Sequence, residues 1–94
     1  MSGSAVAEIT LTARGIPRSL APFFQEYCLD DLDPERARWT IIERTLRWGN
    51  RAEVRWLFRR YSQPVIADWV RRWGEHALPE AHLAFWRLLM GLED

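Results

Sequence analysis

The residues able to do chemistry are few: Cys28, His76, His82 and the acidic run Asp30, Asp31 and Asp33. A nucleophilic thiol needs a base held beside it. A metal needs three or four ligands at set spacings. His76 and His82 lie six residues apart across the start of a helix, so they do not share a helical face. Nothing in the sequence fixes Cys28 against either. His82 falls near an inward face, where a satisfied hydrogen bond is expected of it. The aspartates precede a helix, and capping and the helix dipole account for acids there. No glycine-rich phosphate loop or nucleophile motif is present. The expectation is a protein that is not an enzyme, with no catalytic residue, no metal and no cofactor.

Binding residues are more plentiful. All 13 basic residues are arginine, and they balance 13 acids to a formal net charge of zero. That balance argues against bulk affinity for nucleic acid, yet the basic residues concentrate between Pro34 and Gly74. Arg51, Arg55 and Arg59 recur at i, i+4, i+8, with Arg47 and Arg60 nearby. One reading is a phosphate-facing stripe on the second helix of a helix-turn-helix. The competing reading is a solvated face with intrahelical pairs such as Glu43 with Arg47. A second candidate surface is apolar. Leu83, Trp86 and Met90 form a stripe on the last helix, apart from the inward Ala81, Phe85, Leu88 and Leu89. Trp56 points away from its own helix's core stripe. Exposed tryptophans and apolar stripes of this kind suit a partner or dimer surface.

The elements that must position these residues read as all-α. A chain of 94 residues with 48% hydrophobic content makes one domain with a real core. Helices are expected at about 34–48, 51–61, 63–73 and 79–90. Asp33 and Pro34 suit a helix start, and Gly49 suits a left-handed C′ end. Asn50 and Glu53 form a capping box for the second helix. Val54, Leu57, Phe58 and Tyr61 would be its core stripe. Ser62 is expected to cap the third helix, whose stripe is Ile66, Trp69, Val70 and Trp73, with Gly74 ending it. The first helix carries Trp39, Ile41, Ile42, Leu46 and Trp48 over half its surface. It is therefore the expected hub.

Before the helices lies Ser19–Leu32, too apolar to dangle and expected as an aromatic strap across the core. Residues 1–18 are expected as a flexible arm broken by Gly15 and Pro17. The N-terminus lacks the basic region and apolar core of a signal peptide. The apolar runs are too short for a membrane span. The lone Cys28 excludes a disulfide framework and suits the cytoplasm.

The stretches F-F-Q-E-Y-C-L-D-D-L-D, I-I-E-R-T-L-R-W-G, V-R-W-L-F-R-R-Y and L-A-F-W-R-L-L-M-G-L resemble a family of small helical bacterial proteins of unknown function. Genes of that family often stand beside AbiEii-like nucleotidyltransferase toxins. The resemblance spans roughly residues 22–92 and brings no catalytic signature. It implies an antitoxin-like partner role. The combined expectation is a compact four-helix, non-catalytic protein-interaction module, contacting its partner through Leu83, Trp86, Met90 and Trp56. The alternatives are a DNA-binding autoregulator using Arg47, Arg51, Arg55, Arg59 and Arg60, and a structural homodimer.

Overall fold

A computed structural model describes residues 9–92. Four helices follow one another: α1 (Arg38–Trp48), α2 (Arg51–Tyr61), α3 (Gln63–Ala77) and α4 (Glu80–Leu89). The first three pack on one another, and α4 packs on α3. The described residues form no strand, so the domain is all-α.

The segment expected as a flexible arm is packed where it is described. Residues 1–8 of that expectation lie outside the described residues. From Thr10 to Arg18 the chain makes a tight reversal, closed by the Thr12 N–H on Ile16 O at 2.7 Å and the Arg18 N–H on Thr10 O at 2.8 Å. Gly15 sits at its tip with φ +89°. Ile16 is fully buried, and so is Leu20 in the 3-10 turn Arg18–Phe23 that follows. Phe24 and Leu32 are also buried. Burying these side chains outweighs the breaking tendency of Gly15 and Pro17. The guanidinium of Arg44 fastens this region to α1. It donates to Phe23 O at 2.8 Å and to Glu26 at 2.6 Å, and lies over the rings of Phe24 and Tyr27.

The helix α1 begins later than the expected residue 34. Asp33 Oδ1 accepts from the Glu35 N–H at 2.8 Å and caps an irregular turn instead. The Tyr61 hydroxyl donates to Pro34 O at 2.8 Å, engaging a carbonyl that the first helical turn would use. Ile41, Ile42, Thr45 and Leu46 form the buried face. Trp48, expected on that face, is exposed and stacks on Phe23 at 5.8 Å. Gly49 is not left-handed: its φ is −69° and its ψ 153°. Glycine is needed there for space, since an added Cβ would stand 2.6 Å from Thr45 O.

The capping box at Asn50 and Glu53 forms with both bonds at 2.8 Å. Ser62 does not cap α3 through its side chain; it joins α2 to α3 at φ 69°. The helix α3 runs past the expected end at Gly74. Gly74 is an interior residue against which Leu83 of α4 packs: an added Cβ would lie 2.7 Å from Leu83 Cδ1. Close approach of the two helices offsets the roughly 1 kcal/mol that glycine costs inside a helix. Gly91, at φ 70°, ends α4 instead, with the Leu92 N–H returning to Arg87 O at 2.8 Å.

Candidate functional site

The helix α4 is apolar on nearly every side, and the fold turns it opposite to the sequence expectation. Leu83, Trp86 and Met90 are 8%, 7% and 8% exposed and belong to the core. Phe85, Leu88 and Leu89, expected inward, are 54%, 65% and 60% exposed. Hydrophobic periodicity cannot choose between two apolar stripes; specific partners do. Leu83 fits at Gly74. The Trp86 ring stacks on Phe58 at 6.0 Å. Its Nε1 donates to Leu46 O at 3.3 Å, a carbonyl in the last turn of α1 that has no acceptor role within its own helix.

Trp56 also departs from expectation. It is 8% exposed, and its Nε1 donates to Gly15 O at 3.1 Å. The rings of Trp56 and Tyr61 meet edge to face at 6.1 Å. The reversal at residues 10–18 covers this side of α2, which a pattern with one core stripe left bare. Glu53, besides completing the capping box, accepts the Ser19 hydroxyl and is itself buried. The helix α2 is thus enclosed on two sides, and its remaining face carries the arginines.

Between that face and α4 runs an open groove of about 780 Å³. Val54 and Phe58 from α2 and Phe85, Trp86, Leu89 and Met90 from the α4 end of the chain supply its apolar surface. Arg51, Arg55 and Arg59 line its α2 side, and Gly49, Asn50 and Gln63 complete the lining. Among the described residues no acidic one lines it. Only part of each surface expected from sequence lies here: Trp86 and Met90 of the apolar set and Arg51, Arg55 and Arg59 of the basic set, while Leu83, Trp56, Arg47 and Arg60 lie elsewhere. Phe85, Leu89, Val54 and Phe58 were missed as contact residues. The signal lay in the excess of apolar residues on α4, more than one buried face can take.

The five candidate arginines divide. Arg51, Arg55 and Arg59 are exposed, and none enters an ion pair among the described residues. Arg60 pairs with Glu35 at 2.7 Å and lies over the Tyr61 ring. Arg47 lies over the Trp48 ring at 4.9 Å and borders a separate recess with Trp39, Trp69 and Trp73. That recess also takes in His76. His82 is exposed rather than inward, and so is Cys28. Among the described residues no three His, Cys, Asp or Glu side chains gather as a metal would require.

Two carboxylates of the described residues are engaged in local structure. The Arg44 hydrogen bond holds the Glu26 carboxyl below its ordinary range. Backbone N–H groups of Glu35 and Arg36 do the same for Asp33. Neither group faces the groove.

The site is thus an apolar trough with a cationic wall, set on a small all-α domain. By sequence, residues 20–70 match a family of unknown function, DUF6922, and the chain belongs to that family. The matched stretch covers the segment before α1 from Leu20 on, α1, α2 and the first half of α3, and stops before α4. No curated protein and no solved structure matches the chain.

Proposed function

We propose that this protein is a non-catalytic interaction module that binds a partner protein over the α2–α4 groove and the outer face of α4. The observation that carries this reading is the outward display of Phe85, Leu88 and Leu89 beside an apolar groove. Covering large apolar side chains is worth about 1.5–3 kcal/mol each relative to leaving them in water, so such a face favours a partner. Of the residues first expected to make contact, Trp86 and Met90 retain a part as groove lining, while Leu83 and Trp56 support the fold. The resemblance to proteins encoded beside AbiEii-like nucleotidyltransferase toxins supports an antitoxin-like role, in which the module masks a surface of the toxin. The segment Ser19–Leu32 is proposed as an aromatic strap that stiffens the α1 side. The lone Cys28 supports a cytoplasmic setting.

The reading is tested by co-purifying the protein with the product of the adjacent gene. The double variant Leu88→Glu/Leu89→Glu alters exposed positions only. It should keep its helix content and melting temperature and lose the complex. A variant that still binds as tightly as the wild type would sink the reading.

A second reading, DNA binding through α2, has one observation in its favour: Arg51, Arg55 and Arg59 are exposed and take no part in the ion pairs of the described residues. It requires a mobility shift with the gene's own upstream DNA that weakens steeply as salt rises. A structural homodimer, the third possibility, would instead dissociate on dilution and ignore the neighbouring gene's product.

A further inference from the structure

Resting on the docking reading above, we infer that the occupant of the α2–α4 groove is an acidic amphipathic helix of a different protein. Three observations lead there. Most of the groove's surface is apolar, with Val54 and Phe58 contributed by α2 and Phe85 and Leu89 by α4. Its α2 wall carries Arg51, Arg55 and Arg59, one per helical turn and spaced by about 6 Å along the axis. Among the described residues no carboxylate lines the groove, and none of their ion pairs uses these three arginines. A helix laid along α2 would place apolar anchors at i, i+4 and i+7 in the trough. Carboxylates at matching spacing on its flank would meet the guanidinium row, which suits carboxylates bidentately.

The same observations disfavour other occupants. A nucleic-acid backbone would use the arginines but leave the apolar trough against a charged, hydrated surface. Among the described residues, a second copy of this chain offers no helix with free acids in such a row. The acids of α3, Asp68 and Glu75, are already paired with Arg72 and Arg87. Glu53 of α2 is buried, and α1 and α4 carry one acid each, Glu43 and Glu80.

The test uses the full chain and two synthetic amphipathic peptides of about four helical turns. One carries glutamates along the flank of its apolar stripe, and its twin carries lysines there. Binding is read by fluorescence anisotropy and by amide shifts in NMR spectra. The glutamate peptide should bind, shift the amides of Arg55, Phe58 and Leu89, and weaken as salt is added. Its twin should bind at least about tenfold more weakly, and Arg55→Glu should cost the glutamate peptide about tenfold. Arg55→Glu should in turn improve binding of the lysine peptide. Equal binding of the twins would overturn the acidic occupant while leaving the docking reading intact. If neither peptide moves the groove amides, the occupant is overturned, and the Leu88→Glu/Leu89→Glu result alone decides the docking reading. Shifts at these amides caused by duplex DNA, or by raising the concentration of the chain alone, without a response to the glutamate peptide, would overturn it in favour of nucleic acid or a second copy.

Discussion

Tyr61 shows how one side chain can hold two elements in register. Its ring is buried beside Trp56, and its hydroxyl donates to Pro34 O at 2.8 Å, tying the end of α2 to the turn that leads into α1. Burial pushes the phenol up from 10.0 to about 12. A raised phenol stabilises the fold fully while the unfolded tyrosine is still protonated. The folded state then holds more protons than the unfolded state between pH 10 and about 12, so this contribution is lost across that window as pH rises. Tyr61→Phe should lower stability at neutral pH by about 1–2 kcal/mol, because Pro34 O loses its donor. It should also flatten the alkaline slope. Urea denaturation at pH 7 and near pH 11 checks both. Thr45 presents the opposite situation, a buried hydroxyl with no hydrogen-bond partner among the described residues.

At the scale of elements, two glycines set how helices end and approach. An alanine at Gly49 would push its Cβ against the Thr45 carbonyl, which is backbone and cannot swing aside. An alanine at Gly74 would crowd the terminal methyl of Leu83 and touch Val70 Cγ1 at 3.4 Å, both side-chain atoms. Gly49→Ala should therefore cost about 1–3 kcal/mol, as overpacking does. Gly74→Ala should stay within about 1 kcal/mol of the wild type, since the gain in helix propensity offsets the displaced methyl. Equal losses in chemical denaturation of the two variants would refute this account of the α1–α2 corner. The capping box at Asn50 and the arginine row on α2 were both legible before any tertiary contact was known, because each depends on spacing within one helix. The end of α3 was not. Gly74 reads as a terminator in isolation and serves as a packing site only because Leu83 approaches it.

For the whole molecule, the burial of α4 gives a clean contrast between neighbours in sequence. Trp86→Ala removes a core ring that stacks on Phe58 and a donor to Leu46 O, and should cost about 3–5 kcal/mol. Leu88→Ala alters a side chain 65% exposed and should change stability by no more than about 0.5 kcal/mol. Thermal melts of the two variants distinguish this orientation from its reverse. The helix thus stabilises the fold through one stripe and presents the other. That division makes a docking role compatible with a stable monomer.

The sequence by itself determined the helix count, the positions of α1 and α2 within a few residues, the Asn50 cap and the row of arginines. These follow from local backbone preferences and the helical repeat, which act over a single turn or two. The tertiary structure alone decided which stripe of α4 faces inward, that Trp56 is covered by the reversal at Gly15, and that the arginine row and the exposed α4 residues share one groove. Each of these depends on partners about 40 positions apart, such as Trp56 with Gly15 and Trp86 with Leu46. An apolar residue favours burial wherever it stands. Which surface buries it is set by the shape and the unsatisfied carbonyls that the rest of the chain brings to it.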